Sequence, residues 1–540
     1  MRFLNSAILI LFSLTGCLFS SCSSLGMKQK GGIIAGPLSV RPLLPWDHLS
    51  LRVESPNGIF IFDPGFPIRL DLSFLNPLDK LLPITVCITV RDFDEVMVYR
   101  ETLPLFLNSC KPTVLTLEMP PYPLGHYDCQ IDLYGQNLPL KTFRTSFAVI
   151  RPPIRFEQGN KSPFGVCGGD LFHISLDEHQ TSGRSRVSGQ ARAGALWGRN
   201  EFLWAQMEPE RGVWDFAKAD SAIKIFQDHK MHLLGILGYS TDWLKGSAPS
   251  TEEEMAAFVQ YVEQITRRYR NQIDFWEVWN EPNTIRFRLP KPDAKEYTRL
   301  LKSAYTTIKK TAPEKQVIGM ATNPEDLSFI EQALQMGAGD FTDIISIHPY
   351  QDPPSTHGSP LSQLDKIRTL RELLKKYNCA RPLWITECGL QTGGNSSERD
   401  QAVYLVKLYV LVLAEGLAER IYWFNLTDSG ERDSPEGGHF GLMHKDQTPK
   451  PSYVSYYTMV EHLHDFISVK RLELSEGGYG FDFLFKDRHK VRVAWSDKTS
   501  QMVKIPEGAR VRDLMGNETF SNEGRIMIDS TPRYIAGEWE

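Results

Sequence analysis

Two glutamates in this 540-residue chain occupy the same kind of position, each at the end of a short apolar run. The run Phe275–Trp279 breaks at Asn280-Glu281-Pro282, and the run Pro382–Thr386 ends on Glu387. Runs of this kind are typical of buried β-strands, and a proline cannot continue a central strand. Two carboxyl groups on rigid strand ends can divide acid–base chemistry, one donating a proton while the other stays ionised. A single glutamate here would more simply face water, so the interpretation depends on the pair.

The segment that must position these glutamates, residues 160–466, alternates short apolar runs with stretches of helical period. That alternation is typical of βα units and a parallel sheet. The runs predicted as strands are 164–168, 197–202, 233–237, 275–280, 317–320, 344–348, 383–387 and 421–425. Eight strands in a segment of this size predict an α/β fold, the (β/α)8 TIM barrel, whose active sites lie at the C-terminal strand ends. Both glutamates fall at such ends.

Strands of period two flank this segment on both sides. Residues 38–152 contain several such runs separated by Pro, Gly and Asn, which predicts an immunoglobulin-like β-sandwich. Residues 467–540 repeat the pattern and predict a small C-terminal β-sandwich domain. Carbohydrate binding is an alternative for the first domain, but a structural accessory role is the simpler interpretation of both.

The first thirty residues have the composition of a targeting segment. A positive start is followed by the apolar run Phe3–Leu14, which is too short for a good membrane span. The tetrapeptide Leu14-Thr15-Gly16-Cys17 resembles the bacterial lipobox, in which the cysteine is lipidated. We therefore expect an exported protein, anchored to a membrane through Cys17 in the periplasm or at the cell surface, with plain secretion as the alternative.

Composition excludes several classes of function. The net charge is −5 and the basic residues are scattered, so a nucleic-acid partner is not expected. The six cysteines after the targeting segment show no C-x-x-C spacing, which argues against zinc, and no other metal or cofactor is implied. Export permits a disulfide, but the sequence cannot pair its cysteines.

The ordered set of motifs resembles the retaining glycoside hydrolases of clan A, nearest to family 39 and its family 5 relatives. Trp279-Asn280-Glu281-Pro282 falls on the fourth predicted strand and Thr386-Glu387 on the seventh, as in that clan. The resemblance spans the whole predicted barrel and includes the loop 204–216 and His348-Pro349-Tyr350. It implies an enzyme that cleaves O-glycosidic bonds of an oligosaccharide or polysaccharide, with carbohydrate as its partner.

Carried over residue by residue, the resemblance makes Glu281 the acid/base and Glu387 the nucleophile. It also implies five substrate-binding or supporting residues. Asn280 matches an asparagine that holds the sugar 2-hydroxyl, and Arg199 matches an arginine that keeps the nucleophile ionised. His348 and Tyr350 match a sixth-strand pair that contacts nucleophile and sugar, and Trp423 matches an eighth-strand sugar platform. His173 lies near another predicted strand end and could line the cleft, although a role in the loop is the simpler interpretation.

Three alternatives remain at this stage. A non-catalytic carbohydrate-binding lipoprotein could keep the barrel, although loss of one glutamate would then be expected. A structural or adhesive surface protein built on the β-domains would show no turnover. An inverting hydrolase would hold its carboxyl groups about 6.5–9.5 Å apart, instead of the roughly 5 Å of a retaining enzyme.

Overall fold

The computed structural model describes residues 48–540 apart from 57, 155, 157–158, 169–170, 245–247, 288–290, 324–326, 351–359, 433, 435–436, 520–523 and 538–540. The predicted targeting segment and Cys17 lie outside these residues. Eight parallel strands close into a barrel in which each strand pairs with the next along the chain and the last with the first. These strands are β9 (Phe164–Cys167), β10 (Trp197–Leu203), β11 (His232–Gly238), β12 (Phe275–Val278), β13 (Gln316–Thr322), β14 (Ile344–Ile347), β15 (Leu383–Cys388) and β16 (Arg420–Trp423).

Helices follow the barrel strands and cover their outer faces, so that one large apolar core joins strands to helices. The barrel helices are α1 (Leu176–Glu178), α2 (Arg184–Arg192), α3 (Trp204–Met207), α4 (Ala217–Asp228), α5 (Glu252–Arg268), α6 (Ala294–Thr311), α7 (Ser328–Gln335), α8 (Leu361–Lys376), α9 (Glu398–Ala414) and α10 (Pro451–Leu463). Helix α5 begins where Thr251 and Glu254 form a reciprocal capping box, which satisfies backbone donors of its first turn. The predicted (β/α)8 barrel is therefore confirmed.

The chain before the barrel forms two sheets that share one apolar core, and their strands pair antiparallel except for the short parallel pair β2-β8. The smaller sheet has the order β1-β3-β6, and the larger has the order β2-β8-β7-β4-β5. Their strands are β1 (Ser50–Glu54), β2 (Ile61–Phe62), β3 (Ile68–Leu75), β4 (Leu82–Asp92), β5 (Met97–Leu107), β6 (Pro112–Met119), β7 (Gly125–Gly135) and β8 (Leu138–Val149). Alternating burial along β3 shows why period-two sequence folds this way, since every second side chain enters the shared core.

The chain after the barrel forms a six-stranded sheet of order β17-β18-β19-β24-β21-β22, with the pair β20-β23 beside it. The strands are β17 (Ser468–Leu472), β18 (Gly478–Leu484), β19 (Lys490–Ser496), β20 (Gln501–Lys504), β21 (Arg510–Arg512), β22 (Glu518–Thr519), β23 (Arg525–Ile528) and β24 (Arg533–Gly537). Side chains of β20 and β23 pack with those of β19, β21 and β24 in a small core of their own. Flanking β-structure on both sides of the barrel is thus confirmed as well.

Polar contacts fix the N-terminal sandwich to the barrel. His126 and Ser146 both contact the carbonyl oxygen of Pro449, at 2.9 and 2.7 Å. Arg399 at the start of α9 donates to the carbonyl oxygen of Phe93. Through these contacts the sandwich is held against the chain that precedes α10 and against the start of α9. Across the described ranges, no helix combines the length and apolarity that crossing a membrane requires.

Candidate active site

Glu281 lies just beyond β12, on a backbone turn that leaves the sheet. Strand β12 ends at Val278 instead of the predicted Asn280 because Trp279 has φ of 69°, which turns the chain out of the ladder. Glu281 itself has φ of 39°, a region that side-chain-bearing residues rarely adopt. Its backbone N–H donates to the carbonyl oxygen of Ala321 on β13. The turn is therefore tied to the neighbouring strand, which fixes where the carboxyl group begins.

Glu387 reaches the barrel mouth through an irregularity in β15. Trp384 packs inside the barrel, so strict alternation would point Glu387 outward, toward the helices. The pairing of β15 with β16 shifts register between Ile385 and Cys388. Such irregularities re-aim side chains, and they are frequent beside active sites. Here the shift turns the Glu387 carboxylate toward the mouth, where it meets Arg199.

The two glutamates converge. One oxygen of Glu281, one oxygen of Glu387 and a ring nitrogen of His348 all lie within 4.8 Å of one another. The sequence separates these glutamates by 106 positions (387 − 281), and the barrel brings them to one rim because parallel strands end there together.

Arg199 on β10 organises the buried side of this pair. Its guanidinium donates to Glu387 at 2.6 Å, to Glu277 at 2.6 Å and to the side-chain oxygen of Asn280 at 2.8 Å. Arg199 is only 5 % exposed, so these charge-assisted bonds form away from bulk water, where they are strongest. The contact with Asn280 occupies its amide oxygen, which leaves the NH2 end as the group that can donate to a ligand.

Tyr350 donates the second strong hydrogen bond to Glu387, at 2.8 Å. Burial alone would raise the pKa of Glu387, but the charges of His348 and Arg199 and the hydrogen bonds from Tyr350 and Arg199 outweigh it. The net result holds the pKa of Glu387 below its ordinary value. These contacts therefore favour the ionised form of Glu387.

His348 lies between the two glutamates. Its Nδ1 is 3.1 Å from Glu281 and 3.8 Å from Glu387, while its Nε2 contacts the Thr386 hydroxyl at 3.0 Å. The ring is fully buried, so its contacts are with these side chains. It fixes the orientation of Glu281, which Arg199 and Tyr350 do not contact.

Comparisons with known proteins agree with this geometry. Residues 170–313 match the model of glycosyl hydrolase family 10. A β-xylosidase from Caldicellulosiruptor saccharolyticus is 28% identical over 251 residues, which are 42% of this chain and 49% of that protein. The chain thus matches about half the length of this curated relative.

Solved structures extend the likeness across the chain. A family 39 glycoside hydrolase from Bacteroides cellulosilyticus WH2 superposes with a TM-score of 0.69 at 21% identity, covering 90% of this chain and 100% of that one. A family 39 β-xylosidase from Caulobacter crescentus gives 0.54 at 17% identity, covering 71% and 97%. The fold is that of the clan A glycoside hydrolases. The resemblance that the sequence indicates is confirmed at this level.

Within this clan A barrel, Trp423 is not where the resemblance puts it. The side chain is fully buried, its indole N–H donates to the carbonyl oxygen of Phe440, and its ring packs edge-on against Tyr404 of α9. No face is left on which a sugar could stack, so the predicted platform role is wrong. The cause is the alternation of side chains along β16. Arg420 and Tyr422 contact the interior of the barrel, so Trp423 points outward.

Phe424 takes the inward position that Trp423 lacks. It is half-buried, and its ring lies 6.2 Å from that of Tyr350 and 5.9 Å from that of Phe440. Counting inward positions along β16 from Arg420 would have found it. It therefore lies beside the tyrosine that contacts Glu387, with a partly exposed ring.

Sequence reasoning also missed two acidic residues of the barrel. Glu277 is completely buried and accepts a hydrogen bond from Arg199. It was missed because its neighbours in Phe275–Val278 are apolar, as in an ordinary buried strand. Glu201 follows Arg199 on the same face of β10. A charged residue at an inward position of a barrel strand would have indicated both. Burying an unpaired charge is costly, so such a residue must have a partner inside the barrel.

The remaining side chains bear on cofactor chemistry. Cys388 is buried, and its thiol contacts the carbonyl oxygen of Tyr422 at 3.4 Å, which fits a packing role. The six cysteines that the structure describes are free thiols. Glu281, His348 and Glu387 could offer ligand atoms to a metal ion. However, Arg199 and Tyr350 already donate to both oxygens of Glu387, and the arginine charge disfavours a cation there.

Proposed function

We propose that this protein is a retaining O-glycosyl hydrolase in which Glu281 is the acid/base and Glu387 the nucleophile. The observation that carries the proposal is the close approach of their oxygens, within 4.8 Å. Retaining enzymes hold their carboxyl groups about 5–5.5 Å apart, whereas inverting enzymes need about 6.5–9.5 Å to admit a water molecule between them. The spacing thus favours double displacement over the inverting alternative.

The division of labour is supported by the unequal surroundings of the two carboxyl groups. Glu387 receives hydrogen bonds from Arg199 and Tyr350, which favour its anionic form. Glu281 lies on the turn above, in contact with His348. One group is therefore prepared to attack, and the other is available to exchange a proton with the leaving oxygen.

The reaction then follows in two balanced steps. The ionised Glu387 attacks the anomeric carbon while Glu281 gives its proton to the departing oxygen, so the glycosidic bond breaks as an ester bond to Glu387 forms. Glu281, now ionised, takes a proton from water. That water attacks the same carbon and releases the sugar and the Glu387 carboxylate. Both side chains return to their starting forms.

Oligosaccharides or polysaccharides are the substrates that this proposal implies. The name of the relative from Caldicellulosiruptor saccharolyticus makes aryl β-xylosides the first substrates to test. Loops set the subsites on this fold, so a wider panel of neutral and acidic aryl glycosides belongs in the same screen.

We further propose that the enzyme is exported and held at a membrane by lipid on Cys17. Support comes from the apolar run Phe3–Leu14 and the lipobox-like tetrapeptide that follows it. In a bacterial host, Cys17→Ala should move the protein from the membrane fraction to the soluble fraction. A variant that stays membrane-bound would contradict the anchor.

The nucleophile is tested by Glu387→Ala. This variant should lose turnover by roughly five orders of magnitude, since the covalent route is gone. Added azide should fill the vacated space and restore part of the rate, giving a glycosyl azide of inverted configuration. Turnover near the wild-type rate would remove Glu387 from the mechanism.

The acid/base is tested by Glu281→Gln on substrates with good and poor leaving groups. A dinitrophenolate departs without a proton, whereas an alkoxide needs one. The decrease in kcat/KM should therefore be much larger for the substrate with the poor leaving group. Equal losses on both would argue against proton donation.

If the wild-type protein binds sugars without cleaving any member of the panel, the non-catalytic alternative takes the place of this proposal.

A further inference from the structure

A third carboxylate stands at the mouth of the barrel, outside the pair that the mechanism uses. Trp197, Arg199 and Glu201 follow one another on the inward face of β10, so Glu201 lies one step nearer the mouth than Arg199. Its side chain is 25 % exposed. It is thus accessible to a ligand that enters from solvent.

Two neighbours hold Glu201 in place. Tyr239, just after β11, donates its hydroxyl to one carboxylate oxygen at 2.6 Å. His173, which ends the short 3-10 turn after β9, contacts the other oxygen through Nε2 at 2.8 Å. Because an ionised carboxylate only accepts hydrogen bonds, both neighbours act as donors.

The carboxylate keeps capacity for a ligand. An ionised carboxylate offers about four lone-pair sites, and among the residues that the structure describes Tyr239 and His173 use one on each oxygen. Each oxygen can therefore accept one more hydrogen bond. Two adjacent hydroxyl groups of a sugar ring present two donors side by side, which is the arrangement that such a carboxylate receives.

The position of Tyr239 joins this carboxylate to the catalytic centre. Its hydroxyl contacts Glu201, and burial together with the charge of Glu201 raises the pKa of Tyr239. Arg199, one inward position below Glu201 on β10, donates to Glu387 at 2.6 Å. The ring of Tyr239 packs edge-on against Trp279, two residues before Glu281. A sugar bound beside Glu387 would therefore lie next to Glu201.

The charges around Glu201 disfavour an anionic sugar. Arg199 already contacts Glu277 and Glu387, so its charge is balanced. Across the described ranges, His173 is the basic side chain that comes within ion-pair distance of Glu201. Arg286 is a more distant cation on this side of the barrel; it is exposed and rests on the ring of Phe287, which stacks on Tyr239.

From these contacts we propose that Glu201 is a specificity-determining residue, one that accepts two hydroxyl groups of a neutral sugar and rejects sugars that carry a carboxylate. This inference rests on the proposed hydrolase function and adds the class of substrate: neutral glycosides instead of uronic acid glycosides. Like charges that are brought together when a sugar displaces water from the site repel each other, so the preference for neutral sugars should be large.

The first test compares matched pairs of 4-nitrophenyl glycosides on the full chain. β-D-Glucoside and β-D-glucuronide differ only in the group on C5, and β-D-galactoside and β-D-galacturonide form a second pair. Beside these, the β-D-xyloside is neutral and lacks that group. The neutral member of a pair that is turned over should have a kcat/KM at least about a hundredfold higher than its acidic counterpart. An equal or reversed preference would overturn the inference while leaving the hydrolase proposal intact.

The second test replaces Glu201 by Gln, which keeps size but removes the charge and one acceptor. The kcat/KM for the best neutral substrate should fall roughly ten- to a hundredfold, the range for a hydrogen bond to a charged partner. The ratio of neutral to acidic substrate should narrow by at least about tenfold. Good and poor leaving groups should suffer equally, because Glu201 does not protonate the leaving oxygen.

Two matched variants separate this role from structural damage. Glu101→Gln removes a carboxylate that accepts from Tyr99 in the N-terminal sandwich, and it should leave every rate unchanged. Arg286→Gln should leave the neutral preference intact; if it instead abolishes turnover of an acidic substrate, Arg286 sets the charge preference and Glu201 does not.

An unchanged ratio of neutral to acidic kcat/KM in a folded Glu201→Gln variant would also overturn the inference. Absence of turnover on every neutral and acidic glycoside would contradict the proposed function itself.

Discussion

Two arginines with the same exposure, 5 %, lie inside the barrel and show how differently its two ends are built. Arg199 lies near the mouth, where Glu277, Glu387 and Asn280 bind its guanidinium. Arg420, at the start of β16, lies at the opposite end with its guanidinium 3.7 Å from the ring centre of Trp197 and 4.0 Å from that of Trp384. At the mouth of the barrel, carboxylates balance the arginine charge. At the opposite end, aromatic rings contact the arginine instead.

The electrostatic outcomes are opposite. Burial lowers the pKa of both side chains, but the charges of Glu277 and Glu387 more than reverse the effect for Arg199, whose pKa rises well above its ordinary value. For Arg420 burial dominates, and its pKa is lowered. Aromatic rings can stabilise a buried cation through their quadrupoles. Ionised carboxylates add fixed negative charges, and fixed charges of this kind are what an active site uses to stabilise a reaction. The closed end of the barrel is therefore a packed interior, whereas the charges at the mouth control the protonation state of Glu387.

The largest effect is expected from Arg199→Met. This change leaves Glu277 and Glu387 as buried carboxylates without a counter-ion, which should cost about 3–5 kcal/mol of stability and roughly a thousandfold in kcat/KM. Uncompensated buried carboxyl groups have raised pKa values, so the lost stability should grow as pH rises from 5 to 8. Urea unfolding at several pH values and assays on an aryl glycoside measure both effects.

Arg368→Met is the matched control for that change. Arg368 binds Glu415 through two nitrogens at 2.6 and 2.9 Å, but at the surface of α8. Its removal should cost less than about 1 kcal/mol and leave kcat/KM unchanged. If Arg199→Met behaves like this surface variant, the mouth does not depend on charge compensation.

An intermediate effect is expected from Tyr350→Phe. Activity requires ionised Glu387 and is lost as pH falls through its pKa. Because that pKa is lowered, the acid limb of the wild-type kcat/KM profile should lie below the range of an ordinary carboxyl group. Removing the Tyr350 hydrogen bond raises the pKa, so the limb should move up by roughly one pH unit. Profiles from pH 3 to 7 with a good leaving group measure this.

Tyr377→Phe controls for loss of a tyrosine hydroxyl. Tyr377 donates to Glu331 at 2.8 Å, the same length as the Tyr350 bond, but away from the barrel mouth. Its profile should match the wild type. A limb that does not move in Tyr350→Phe would mean that Arg199 and His348 alone keep Glu387 ionised.

The smallest effect is expected from Arg420→Met. The variant loses contacts with two indole rings but also removes a buried charge, and these changes oppose each other. The free energy of unfolding should change by no more than about 2 kcal/mol, and kcat/KM by less than about twofold. A large loss of activity would show that the two ends of the barrel are coupled, which would break the comparison.

Much of the fold was predictable because the signals are local. Alternating burial in β3 and the apolar runs of the barrel strands follow from side-chain periodicity alone. All eight predicted barrel strands overlap observed ones, and Glu281 and Glu387 lie at the mouth as their strand-end positions indicate. Position along a parallel strand therefore predicts which end of the barrel a residue reaches.

Which way a side chain faces was harder to predict. Trp423 looked like a platform because tryptophan at a strand end suits a sugar, but parity points it at Tyr404 and gives Phe424 the inward place. Glu387 shows the reverse case, since parity alone would have turned it outward and a register shift restores it. A displacement of one residue changes the face, and the sequence does not mark where the displacement occurs.

By itself, the sequence determined the order of strands, the β-domains around the barrel and the placement of two glutamates at its C-terminal rim. Only the tertiary structure decided that their oxygens approach within 4.8 Å, that Glu277 shares Arg199 with Glu387, and that Glu201 faces the same mouth. The physical reason is distance along the chain. Periodicity acts over neighbouring residues, whereas ionisation depends on charges that arrive from other strands when the barrel closes.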